Sequence, residues 1–224
     1  MISVIIPTLN EGSELPTTLG RLLQVPEVEE IIVSDGGSID GTVAVARDFG
    51  CRAVKGGRGR GSQLRMGAEI ASKSVIAMVH ADTWVEPNFG SAILATLRRP
   101  HHVGGACLKT FRDPHWLMRG SRLRCRLRMR LWQFAYGDQV LFFPREVLSQ
   151  IGGIPDVPLM EEYLLCQAAR RLGRLGLAET TVTTSARRFR QRGVFRTYWR
   201  MAMVNWKWNW GASPEELRRY YERR

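Results

Sequence analysis

Dense apolar runs recur through the first half of the chain, at residues 2–6, 31–34, 51–54, 75–79 and 105–110, with helix signals in the intervals. Ser13 is placed to cap a helix through Leu23 that tolerates Pro16 in its first turn. Asp40 is placed to cap one ending near Gly50, and Pro87 to open one through Arg99. Strand and helix alternate, which predicts an α/β fold whose mostly parallel central sheet is flanked by helices. After Thr110 the pattern changes. RLRCRLRMR at 122–130 alternates like a strand, yet Leu123, Leu127 and Leu131 make an i, i+4 stripe, and the helix is the expectation. A strand is expected from Val140, a helix at 145–151, and another at 161–172 closed by Gly173. Residues 194–210 carry four of the seven tryptophans among Arg and Lys, and Ser213, Pro214, Glu215 and Glu216 spell a capping box that opens a last helix.

Length and composition narrow this picture. A chain of 224 residues suits one domain, and 44% hydrophobic with 24% charged residues excludes a disordered chain. The expected division is a body at 1–186 and a basic, Trp-rich helical extension of the same domain at 187–224. Thirty-three Lys and Arg against 21 Asp and Glu give a net charge of +12, densest at 112–130 and 187–224. Such a field attracts nucleic acid, anionic lipid or nucleoside diphosphates, and charge alone does not choose among them. Cys51, Cys107, Cys125 and Cys166 are widely spaced and read as reduced thiols of a cytoplasmic protein. Met1 leads straight into a strand with no signal-peptide pattern, and no apolar run reaches the roughly 20 residues of a membrane span. Any membrane contact is expected to be peripheral.

The candidate chemistry lies where strands end. IPTLNE and SDGGSIDGT close the first two strands and therefore share one edge of a parallel sheet, where nucleotides bind in open α/β folds. Asp35 there can accept from a ribose hydroxyl or a base imino group, or can simply shape a turn with its two glycines. GRGRG at 57–61 is not a Walker loop, since no Lys-Ser/Thr follows; its glycines allow close backbone approach, and Arg58 and Arg60 either pair with phosphate or face water. Asp82, after the strongest apolar strand, can hold Mg²⁺ or Mn²⁺. Beside it, His80 reads as a strand-end histidine bonded to backbone. In LMEEYLL, Glu161 and Glu162 suit either a helix N-terminus or acid–base chemistry.

The ordered set VIIPTLNE, VSDGGSIDGT, GRGRGSQLRMGAEIA, VHADT, GDQVLFFPREVLSQIGGIP and LMEEYLL, with SARRFRQRG near the end, resembles family 2 glycosyltransferases of the GT-A fold. It is most similar to a short bacterial subgroup without transmembrane helices, often labelled as arsenosugar-pathway transferases. The resemblance implies a nucleotide-sugar donor, UDP being the commonest carrier, and inverting transfer to an acceptor the motifs do not identify. It implies Pro7, Glu11, Asp35, Arg58, Gln63 and Ala81 at the donor site, Asp82 as ligand to Mg²⁺ or Mn²⁺, and Glu162, with Glu161 beside it, as the catalytic base. The family's Asp-x-Asp is His-x-Asp here, and its usual Asp base is Glu162.

Two other readings compete. A nucleotidyltransferase acting on a sugar phosphate would share sheet and metal carboxylates, but its first loop carries basic residues, whereas PTLNEGSEL has none. A peripheral module for anionic membranes, or a contact between copies of the chain, is suggested by the basic, Trp-rich C-terminal segment; nucleic acid is the least favoured partner.

Overall fold

A computed structural model describes residues 1–57, 59–112 and 114–222. Strands β1 (Ile2–Thr8), β2 (Val28–Asp35), β3 (Arg52–Lys55) and β4 (Val75–Met78) run parallel, with β1 hydrogen-bonded to both β2 and β4. β5 (Thr83–Trp84), β6 (His102–Phe111), β7 (Leu141–Pro144) and β8 (Arg174–Thr184) complete one eight-stranded sheet in the order β3-β2-β1-β4-β7-β6-β8-β5. β6 and β8 are parallel to each other; β7 joins the two halves by antiparallel pairing with β4 and β6. β1 is apolar nearly throughout because both its faces are covered.

Alternation along β1 divides the core. Val4 and Ile6 point to the face covered by α1 (Leu15–Leu22), α2 (Thr42–Asp48) and the later α4 (Phe89–Leu97), meeting Leu19, Ala46 and Phe89. Ile5 points to the other face, which shares Leu64 of α3 (Arg60–Ile70), Met129 of α5 (Ser121–Trp132), Leu148 of α6 (Arg145–Gln150) and Leu165 of α7 (Glu161–Ala169). Helices α8 (Arg187–Arg192), α9 (Val194–Asn209) and α10 (Pro214–Glu222) form the basic C-terminal segment.

Several expectations shift. α1 starts at Leu15 with Glu14, not Ser13, at its N-cap, while Pro16 does occupy the first turn. α2 is preceded by Gly41 at φ +84°, and Asp40 instead accepts from Thr42 N at 3.2 Å and Gly12 N at 2.9 Å. Residues 122–130 are helical as expected, but Cys125 and Met129 turn inward while Leu123, Leu127 and Leu131 face out. β8 was not foreseen. The capping box of α10 is formed in both directions, Glu216 N to Ser213 Oγ at 3.3 Å and Ser213 N to Glu216 Oε2 at 2.9 Å.

Candidate active site

Parallel pairing of β1 with β4 brings Thr8 and the residues after Met78 to one edge of the sheet. Antiparallel β7, with Leu141 opposite Met78, sets 137–139 beside them. These ends, the start of α3, the loop into α7 and the inner face of α8–α9 enclose a cleft of about 770 Å³.

Of the residues singled out from sequence, Pro7, Glu11, Gln63, Ala81, Asp82, Glu161 and Glu162 line this cleft. Arg58 lies outside the described residues. Asp35 is not brought to the cleft wall. Its carboxylate is 5% exposed and accepts from Gly37 N at 2.9 Å, Ser38 N at 2.8 Å, Ser38 Oγ at 2.5 Å and Thr8 Oγ1 at 3.1 Å. Burial pushes its pKa up, but these donors outweigh it and hold the carboxyl below the usual Asp value. Gln63 is equally occupied, its Nε2 donating to Thr8 O at 2.6 Å. A Cβ at Gly36 would fall 2.5 Å from that nitrogen, so a side chain there would push the Gln63 amide off Thr8 O. Asp35→Ala should therefore cost about 3 kcal/mol, since three or more buried donors lose a charged acceptor. Thermal unfolding without nucleotide is the check, with a midpoint about 6–12 °C lower; an unchanged midpoint would leave Asp35 free for a ligand role alone.

The acidic pair is held by a residue to which the sequence assigned no structural role. Arg60, at the first turn of α3, donates through Nε to Glu161 and through Nη2 to Glu162 Oε2 at 2.9 Å. Loop 155–157 presses on α3 so closely that a Cβ at Gly61 would lie 2.7 Å from the carbonyl oxygens of Pro155 and Val157. The two bonds of Arg60 tie this turn of α3 to the start of α7. Burial raises the pKa of both glutamates. In Glu161 the charge and hydrogen bond of Arg60 prevail and the net shift is downward; in Glu162 repulsion from Glu161 adds to burial and the net shift is upward. The pair is thus split into a firm carboxylate and a more basic one. Met160, immediately before it, has φ +72°, and Asn10, also in the cleft, φ +56°. Left-handed non-glycine residues carry strain that tends to gather at functional sites.

Around Asp82 the chemistry is acidic with arginine counterions. Glu11 accepts from Arg187 Nη2 at 2.7 and 2.9 Å, and Glu14 from Arg112 Nη2 at 2.8 Å, which also donates to Asp82 O at 3.1 Å. Burial, then the charge of Glu11, raises the Asp82 pKa. Among the described residues no three His, Cys, Asp or Glu side chains are grouped to enclose a cation. The carboxylates of Asp82 and Glu11 are hard oxygen donors whose mutual repulsion a cation would relieve. Such a partial set fits Mg²⁺ or Mn²⁺ when phosphate oxygens supply the remaining ligands.

His80 was expected to bond backbone; its Nε2 instead lies 3.5 Å from Arg60 Nη1. Burial, then that positive charge, lowers its pKa to about 4, so the ring is neutral at pH 7. Asp138, quoted in GDQ but given no role, is paired with Lys109 Nζ at 2.6 Å in the cleft wall. Arg187, in SARRFRQRG, also escaped notice, because nothing in a basic run marks which arginine turns inward.

Comparison with known proteins bears on the family and the fold. Residues 3–149 match the model of glycosyl transferase family 2. A validoxylamine A glucosyltransferase of Streptomyces hygroscopicus subsp. limoneus is 31% identical over 126 residues, which is 49% of this chain and 25% of that protein. The chain thus spans about a quarter of that curated relative. Among solved structures, a mannosyltransferase from Pyrobaculum calidifontis in complex with GDP-Man and Mn²⁺ superposes with a TM-score of 0.71 at 19% identity, covering 98% of this chain and 67% of that one. Glucosyl-3-phosphoglycerate synthase from Mycobacterium tuberculosis, with Mn²⁺, UDP and glucosyl-3-phosphoglycerate, gives a TM-score of 0.57 at 20% identity over 83% of this chain and 70% of that one. The mostly parallel sheet flanked by helices is the fold of these neighbours, and the chain belongs to glycosyl transferase family 2.

Proposed function

We propose that the chain transfers a sugar from a nucleoside diphosphate sugar, UDP-sugars first, to an acceptor hydroxyl with inversion at the anomeric carbon. One observation carries this reading: Asp82 and Glu162, distant in sequence, line a single cleft together with an inward row of arginines. Glu162 takes the acceptor's proton as the oxygen attacks C1. The C1–O bond to the diphosphate breaks with its electron pair going to the departing phosphate, and attack from the opposite face inverts the centre. Asp82, with Glu11, would hold Mg²⁺ or Mn²⁺, which when bound neutralises charge on the leaving diphosphate. Arg187, Arg188 and Arg192 line the same cleft and add fixed positive charge there. Pro7, Gln63 and Ala81 shape the donor pocket from the ends of β1, α3 and β4, and Asp35 holds the Thr8 end of β1 behind them. In this reading residues 1–186 are the transferase body and 187–224 an extension of the same domain, a division supported by the α8 and α9 side chains that line the cleft.

The test is a thermal-shift screen of UDP- and GDP-sugars with and without Mn²⁺, followed by measurement of nucleoside diphosphate release. A donor should raise the unfolding midpoint only when the metal is present. Ligand at about 100 times its Kd adds about 2.7 kcal/mol, which is about 5–11 °C for a chain of this length. Asp82→Asn should abolish the metal-dependent part of the shift. Stabilisation by donors that is indifferent to metal and to Asp82 would reject the assignment.

A further inference from the structure

Helix α9 has two faces. Its inner face is committed: Tyr198 and Met201 pack on Phe111, Met118 and Phe189, Val204 on Met160 and Leu217, and Trp208 on Tyr163 at 5.4 Å between ring centroids. Its outer face is aromatic. Phe195, Trp199, Trp206 and Trp210 are 69%, 65%, 52% and 76% exposed, and their spacing sets them along one stripe of the helix. At 100° per residue Arg196, Arg200 and Lys207 fall together along one border of that stripe. Burial in a protein core would have turned these tryptophans inward, as it has Trp208.

We propose that this face docks on an anionic lipid bilayer, with α9 lying in the headgroup plane. Large aromatic side chains bordered by cations are what the interface of a charged membrane accepts: rings enter the boundary between headgroups and acyl chains, and Arg and Lys meet lipid phosphates. Charge complementarity favours lipid over a second copy of the chain, since two copies would bring +12 against +12. No described helix is long and apolar enough to cross a membrane, and the contact proposed is with the surface of the bilayer. The helix, about 24 Å long, also presents Met201, Val204 and Asn205 to the cleft. A bilayer seated on its outer face would therefore lie about one helix diameter, roughly 10 Å, from the cleft wall. α5 carries a separate outward row, Leu123, Leu127 and Leu131, bordered by arginines, and serves as the internal comparison.

The full chain would be sedimented with phosphatidylcholine vesicles with and without phosphatidylglycerol, while tryptophan emission is recorded. Binding is expected only with phosphatidylglycerol, with a blue shift of emission. Arg196→Gln with Arg200→Gln should weaken it about thirtyfold, from about tenfold per 1.4 kcal/mol and the usual contribution of each cation at such a surface. Trp199→Ser with Trp210→Ser should remove the blue shift; both positions are exposed, and unchanged circular dichroism confirms folding. Recovery of the wild-type chain in the supernatant with both vesicle types overturns the proposal. So does binding that both α9 variants retain, binding lost only on Leu127→Ser in α5, or a Trp199-dependent dimer that ignores vesicles. Sugar transfer by the unbound protein is unaffected by any of these results, so failure here is distinct from failure of the transferase reading.

Discussion

Glu162→Gln is expected to lower kcat about a thousandfold while leaving donor-induced thermal stabilisation within error of wild type. The amide keeps the shape of the side chain and its bond from Arg60, but it cannot accept the acceptor's proton, and general-base contributions run at about 10²- to 10⁴-fold. Glu161→Gln separates the two carboxylates. Glu161 is 3% exposed and bound by the guanidinium, so its loss should act through the position of its neighbour and by a smaller factor. The pH profile gives an independent reading. Burial and the charge of Glu161 raise the Glu162 pKa above 4.5; a base must be unprotonated, so rate should fall with decreasing pH along a limb that begins above the ordinary glutamate range. A Glu162→Gln enzyme with near-normal kcat would remove this residue from the chemistry.

The sheet was readable because parallel strands buried on both faces are written as nearly unbroken apolar runs, and the runs at 2–6 and 75–79 lie inside β1 or overlap β4. β8 was missed for the opposite reason. Its outer half, Thr180, Thr181, Val182, Thr183 and Thr184, alternates buried with partly exposed positions, and threonine hides the apolar signal that the period-two test needs. The leucine row of α5 misled in another way: an i, i+4 stripe marks a helix correctly, yet it does not say which side the sheet will take. Burial fell to Cys125 and Met129. At the site, motif order located the carboxylates, because each closes or precedes a regular element. It could not assign their partners. Arg60 and Arg58 are indistinguishable in GRGRG, and nothing in that string says that Arg60 reaches Glu161 and Glu162. Asp35 shows the same limit, since a strand-end Asp before two glycines serves a ligand or a turn equally well, and its bonds to Thr8, Gly37 and Ser38 are visible only in the folded chain.

Arg60→Ala should be the most damaging single change to stability within the cleft. It strips one guanidinium from two neighbouring carboxylates that are 3% and 15% exposed, leaving like charges without a counterion. Breaking a buried pair costs about 3–5 kcal/mol, and the partial exposure of Arg60 to the cleft places this case near 3 kcal/mol, or a midpoint about 6–12 °C lower. The deficit should depend on pH in a fixed direction. In the wild-type protein Glu161 has a depressed pKa, so its contribution is present above the ordinary glutamate value and fades as pH falls. Without Arg60, burial stands as the largest influence on each glutamate and raises its pKa against the smaller pull of backbone hydrogen bonds at the start of α7, so the folded variant is expected to bind protons more readily than the unfolded chain. Its deficit is therefore largest at neutral pH and narrows toward pH 4.5, where protonation relieves the repulsion. Unfolding midpoints of the two proteins measured across that range decide the matter. A deficit that stays constant or widens on acidification would mean that Arg60 supports the fold by packing, and that the acidic pair is not poised by its charge.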